Sequence, residues 1–152
     1  MKKLILALTM ATLGAAALPI HAQSMASNGM PAAGDALYQA LGAKPGLEAL
    51  MAVFVSALKV DSRIGTLFKE TKSAYLQEQL VDQICMVSGG PCVYKGADMK
   101  SAHANMEINK AQFNALVEVL QVSMDIRGIP FDTQNKLLER LASMHRDVIT
   151  VR

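Results

Sequence analysis

Two sets of side chains in this 152-residue chain could do chemistry: a histidine set between methionines, and a pair of cysteines. His103 lies in the stretch Ser88-Gly-Gly-Pro-Cys92-Val-Tyr94-Lys-Gly96-Ala-Asp-Met99-Lys-Ser-Ala-His103-Ala-Asn-Met106-Glu-Ile108. Met99, Ala102, His103 and Met106 recur at the spacing of one helical face, which predicts a helix from Met99 to Met106 with the histidine turned inward. Such an imidazole has two readings. It is a half-buried core histidine bonded to a backbone carbonyl, or it gives a neutral nitrogen to iron while methionines pack a flat apolar macrocycle. Residue spacing alone leaves both open.

Cys85 and Cys92 flank the start of the same stretch. On one continuous helix their Cα atoms would lie about 10 Å apart, beyond the roughly 4.4–6.8 Å that a disulfide spans. Gly89, Gly90 and Pro91 interrupt the helix between them, because glycine favours the left-handed cap and proline cannot continue the ladder. The chain can therefore fold back, and a disulfide and two free thiols both remain open. The spacing is neither a redox Cys-x-x-Cys nor the Cys-x-x-Cys-His of covalent haem attachment.

The elements that must position these groups all read as helices. Asp35 is expected to cap a short helix through Leu37, Tyr38 and Leu41, stopped by Gly42. Pro45-Gly46 restarts the chain, and Leu47, Leu50, Met51, Phe54 and Leu58 form the apolar stripe of a helix of about four turns. Asp61-Ser62 caps a brief helix holding Ile64, Leu67 and Phe68. Ser73 opens the next, with Leu76, Leu80, Val81, Ile84 and Val87 inward. Lys95 to Asp98 form a turn. Asn109 caps a long helix with Phe113, Leu116, Val117, Leu120 and Met124 inward, ending near Arg127-Gly128. Pro130 and Asp132 start a last helix with Leu137, Leu138, Leu141, Met144 and Val148 inward. No alternating strand pattern competes, so the fold class is all-α.

The ordered set Gly-Gly-Pro, Tyr-x-Gly, Met-x-x-x-His and an isoleucine five residues later resembles the group 1 truncated haemoglobins. The likeness runs from Leu37-Tyr38-x-x-Leu41-Gly42 to Arg146-Asp147-Val148-Ile149, roughly residues 35 to 150. It implies a truncated globin, a two-over-two helical sandwich, holding non-covalent haem b with His103 as proximal iron ligand. On that correspondence Phe68 wedges the haem, Phe113 flanks the proximal side, Ile108 follows the ligand helix, and Met99 packs beside it. Tyr94, Lys72 and Lys100 are candidates near the propionates.

The distal side departs from the family. Where group 1 members often carry a tyrosine after a phenylalanine, Phe54 is followed by Val55; Leu76 stands at the place of a distal histidine, and Leu80 where glutamine is frequent. The innermost wall is thus apolar, and Gln79, Gln83 and Tyr75 are the remaining candidate donors. The resemblance implies a five-coordinate or water-bound iron at rest. It also places His145, near the chain end, away from the iron, as a surface or satisfied histidine.

The bounds agree with one domain. Met1-Lys2-Lys3 followed by the apolar run Leu4 to Ala17 reads as a signal peptide, residues 1–22, with cleavage after Ala22. Residues 23–34 form a polar lead-in, and 35–152 the globin domain. A net charge of +2 gives no case for nucleic acid, and the mature chain is expected to be a periplasmic monomer without a membrane anchor. Its partner is a diatomic gas (O2, NO or CO); no residue names an electron donor. The expected function is reversible ligand binding. A haem enzyme on the same iron, a nitric oxide dioxygenase or weak peroxidase, is the alternative. A haem-free redox or interaction module built on Cys85 and Cys92 is the remote one.

Overall fold

The computed structural model describes residues 35–151, so the expected leader and lead-in lie outside the described residues. The described chain is helical: α1 (Ala36–Ala40), α2 (Ala43–Val60), a 3-10 turn (Gly65–Phe68), α3 (Ser73–Val87), α4 (Met99–His103), α5 (Lys110–Ile126), α6 (Phe131–Ala142) and α7 (His145–Val148). α2 is the hub, packing on α3 along one side and on α5 along another. With α2 packed on α3 and α5, and α3 on α6, the arrangement is the expected two-over-two sandwich. Among the described residues no helix is long and apolar enough to cross a membrane.

The apolar stripe of α2 explains why it is central. Leu47, Leu50, Met51, Phe54, Val55 and Leu58 are all buried, and they meet Val81, Ile84 and Cys85 of α3, Ala115, Val119, Leu120 and Met124 of α5, and Leu137 of α6. Burying side chains of this size contributes roughly 1.5–3 kcal/mol each against leaving them in water.

Several boundaries differ from the expectation. α2 begins at Ala43, ahead of Pro45-Gly46, because Gly42 at φ 85 makes the turn and proline fits a first helical turn, where its missing N–H has no partner to lose. Gly46 is required there: a Cβ would sit 2.1 Å from the Leu41 carbonyl oxygen. Asp35 precedes α1 but makes no capping hydrogen bond with its side chain. Asp61 accepts from the Arg63 backbone N–H at 2.8 Å, forming a turn before the 3-10 segment rather than capping it. The expected last helix is two: α6 ends as the Ser143 hydroxyl donates back to the Arg140 carbonyl at 2.9 Å, and α7 starts anew at His145. Asn109, by contrast, forms the full capping box with Gln112, and Gly128 at φ 65 closes α5 as expected.

The Gly-Gly-Pro turn locks onto the first helix. Gly89 takes φ 88, the Gly90 N–H donates to the Cys85 carbonyl at 2.8 Å, and the Tyr38 N–H donates to the Ser88 carbonyl at 3.2 Å. A Cβ on Gly90 would lie 2.6 Å from the Tyr38 ring and 2.7 Å from Cys85 Sγ. Gly90→Ala is therefore expected to destabilise the fold by about 1–3 kcal/mol through overpacking, read as a lower urea midpoint with an unchanged slope.

Candidate haem site

The site is built from a short helix and its two anchors. α4 holds His103 and is only five residues long, shorter than the Met99–Met106 span expected, with Ala104 to Met106 completing a turn instead. A helix this short needs a strong start. Asp98 supplies it: its carboxylate accepts from the Ser101 N–H at 3.0 Å and from the Ser101 hydroxyl at 2.7 Å. Those bonds hold the Asp98 carboxyl below the usual carboxylate range. Behind α4, Ile108 is buried and exchanges hydrogen bonds with the chain end: its N–H donates to Thr150 Oγ1 at 2.8 Å, and its carbonyl accepts from Thr150 and Val151.

A group whose folded pKa is depressed stabilises the fold above its ordinary pKa and loses that contribution as pH falls through the folded value. The Asp98 cap should accordingly fail below the ordinary carboxylate pKa of 3.8. The protection factor of the Ser101 amide, followed by hydrogen exchange, is expected to drop there in the wild type. In Asp98→Asn, which keeps an acceptor but does not titrate, it should stay flat with pH.

The histidine itself is half-buried, and its Nδ1 lies 2.7 Å from the Met99 carbonyl oxygen. A carbonyl can only accept, so Nδ1 carries a proton, and in the neutral ring the lone pair is on Nε2. Among the described residues no group hydrogen-bonds Nε2, and no cluster of three His, Cys, Asp or Glu side chains could cage a metal ion. Nε2 of His103 could thus hold a metal centre, with the carbonyl of its own helix fixing the ring orientation.

The apolar positions expected around it share one property. Phe68, Leu76, Leu80, Met99, Met106 and Phe113 are only half-buried, whereas the core residues behind them are closed. α4 packs mainly on α7, with α3 reaching it through the Gln83 amide on the Met99 Sδ. An imidazole with no hydrogen bond at Nε2, and apolar side chains left half-buried at the positions expected to line the pocket, fit a flat macrocycle with a single protein ligand. Phe54 and Val55, the positions expected on the distal wall, are buried in α2, and neither side chain can donate a hydrogen bond. The open groove beside Val87, Glu139, Arg140, Ser143 and Met144 contains neither His103 nor these pocket residues, apart from lying next to α7.

Other candidates are placed differently from the expectation. Gln83, offered as a distal donor, is only 8% exposed and spends its amide Nε2 on the Met99 Sδ at 3.0 Å and the Met144 Sδ at 3.7 Å. It ties α3 to the proximal helix. Gln79 Oε1 and the Tyr94 ring both crowd Gly96, where a Cβ would fall 2.6 Å and 2.4 Å from them. The Tyr94 hydroxyl donates to the Ala97 carbonyl at 3.0 Å, and burial pushes its pKa up. Tyr75 is exposed. His145 is half-buried on α7, which packs on α4, and its ring meets Phe113 edge-on at 4.8 Å. It supports the proximal side rather than lying apart from it. The cysteines are joined, with Cα atoms 5.7 Å apart, which decides the question that spacing left open.

The bacterial-like globin family matches residues 36–150. The chain belongs to that family. It is similar to the group 1 truncated hemoglobin of Tetrahymena pyriformis, 26% identical over 113 residues covering 74% of this chain and 93% of that protein. The group 1 truncated hemoglobin GlbN of Nostoc commune is 25% identical over 108 residues, covering 71% of this chain and 92% of that protein. The crystal structure of the Tetrahymena pyriformis protein in its Fe(III) form superposes with a TM-score of 0.72 over 74% of this chain and 97% of that one. The 2/2 hemoglobin of a Synechococcus species, at 22% identity and a TM-score of 0.69, shares the fold. This globin is accordingly a haem protein whose function is to bind a diatomic ligand.

Proposed function

We propose that this globin holds non-covalent haem b through Nε2 of His103 and reversibly binds a diatomic gas, as an exported monomer of the periplasm. The observation that carries the reading is the proximal arrangement: Nδ1 fixed by the Met99 carbonyl, with Nε2 left to donate. When bound, the haem supplies an iron centre that takes O2, NO or CO. The protein's own residues do the rest. Met99 and Phe113 pack the proximal side with His103, Phe68 and Leu76 line the apolar slot, and Val55 and Leu80 exclude water from the distal wall.

Reversible binding is favoured over turnover because dioxygenation of nitric oxide or peroxide cleavage needs a polar group at the distal wall. Gln83, the best-buried amide on α3, is committed to two thioethers instead. Hemin titration of the chain should give one equivalent bound with a sharp Soret band, shifting on reduction under carbon monoxide. Sustained nitrate formation from nitric oxide and dioxygen, with a reductant present, would contradict the binding reading and establish the enzyme. Export rests on the basic start and apolar run of residues 1–22 and on the disulfide, which suits an oxidising compartment.

A further inference from the structure

The segment that carries the proximal ligand is thinly held. Residues 92–98 have no regular secondary structure, α4 is five residues, and its main packing partner α7 is four residues long. Behind it stand the hydrogen bonds of Ile108 to Thr150 and Val151. In front, α3 reaches it by the Gln79 side chain packed at Gly96, by the weak amide–thioether contact of Gln83 with Met99, and by the covalent bond from Cys85 to Cys92. Tyr94 and Asp98 bond only within the segment, to Ala97 and Ser101. The disulfide is thus the strongest connection between the ordered distal helix and the loop leading into His103. Its two ends differ in access: Cys85 is fully buried against Gly90, while Cys92 is half-buried.

We propose that Cys92 is a thiol-exchange site and the Cys85–Cys92 disulfide a clamp on the proximal segment, so that reduction by a dithiol loosens residues 92–106 and weakens the hold on haem. The exchange begins with a reductant thiolate attacking the Cys92 sulfur, the more accessible of the two. The sulfur–sulfur bond breaks, Cys85 leaves as a thiolate and takes a proton, and the second reductant thiol displaces Cys92 as it closes its own disulfide. Two electrons and two protons pass from the dithiol to the pair. What is released is local. The main core of α2, α3, α5 and α6 keeps its buried contacts, whereas the loop and α4 keep non-covalent contacts alone, among them Gln79 at Gly96, Gln83 on Met99, α7 and Ile108. The effect on function follows from His103, since an axial ligand on a mobile helix spends less time in bonding position.

The inference rests on the haem reading above, and the test separates the two. The chain is loaded with hemin, divided, and one half is reduced with dithiothreitol and desalted without air. Haem transfer to excess apomyoglobin is then followed for both, beside Cys92→Ala. Reduced wild type and Cys92→Ala are expected to lose haem faster than the oxidised protein by about tenfold, less than closing a short loop can contribute, with the variant indifferent to dithiothreitol. Hydrogen exchange should show residues 92–106 deprotected while α2 and α5 are unchanged. Equal transfer rates in the oxidised and reduced protein would overturn the clamp alone. Wholesale loss of helical circular dichroism on reduction would overturn it too, because the bond would then hold the whole fold. If the oxidised chain takes up no hemin, the haem reading falls and the clamp with it.

Discussion

Leu80→Gln is expected to slow dioxygen release by roughly 10–100-fold, the kinetic counterpart of about 1.5–3 kcal/mol from a hydrogen bond to a charge-separated ligand. The argument starts from volume. Glutamine and leucine are close in size, and Leu80 is half-buried at the edge of the core rather than locked inside it, so the new amide can be accommodated. The nearby Gln83 amide is already committed to Met99 and Met144. Carbon monoxide, which carries little charge separation, should change far less. The ratio of dioxygen to carbon monoxide affinity, from stopped-flow mixing and flash photolysis, is therefore the sensitive quantity. An unchanged ratio in Leu80→Gln would mean that position 80 does not face the ligand. Val55→Tyr probes the same wall from α2. Because Val55 is closed in the core, that variant also risks an overpacking cost of about 1–3 kcal/mol.

Leu50→Ala should be the most destabilising single truncation of the α2 stripe. Leu50 is 0% exposed on the buried stripe of the helix that packs on both α3 and α5. Large-to-small changes at such sites cost about 2–5 kcal/mol, and the upper half of that range is expected because rigid neighbours limit collapse. Urea unfolding of the apoprotein measures it, with the slope unchanged if the denatured state is unaffected. A loss under about 1 kcal/mol would show that the core around α2 relaxes freely. Haem-loaded protein should lose less apparent stability, because binding to the native state adds to it by mass action.

Much of this was legible in the residues. The stripe of α2 was readable because its face is wholly buried, so periodicity and packing coincide. Asn109 with Gln112 and Gly128 marked the ends of α5 by local chemistry that tertiary contacts did not disturb. The break between α6 and α7 was not readable. Leu141, Met144 and Val148 continue the helical spacing straight across it, and the Ser143 hydroxyl bonded back to the Arg140 carbonyl at the break leaves no mark in that spacing. The shortness of α4 was hidden for a similar reason, since Met106 keeps the spacing of Met99 and His103 after the helix has ended. Gln83 was misjudged as a distal donor because nothing in the spacing reveals that two methionine sulfurs, 16 and 61 residues away, meet its amide. His145 was read as lying away from the site, and its contact with Phe113 is equally non-local. For the cysteines, spacing set the condition that the chain must fold back, and the Gly90 turn against Tyr38 meets it.

The proximal assignment is the claim on which the rest stands, and a comparison of two histidine variants tests it most directly. The visible spectrum of the reduced, carbon monoxide-treated protein is recorded after hemin loading for wild type, His103→Ala and His145→Ala. The account predicts a sharp Soret band in wild type, retained in His145→Ala, whose ring only meets Phe113 edge-on, and lost or strongly altered in His103→Ala. Added imidazole should restore the band in His103→Ala by filling the vacated axial position. A His103→Ala protein that takes up hemin and binds carbon monoxide as wild type does would contradict the account.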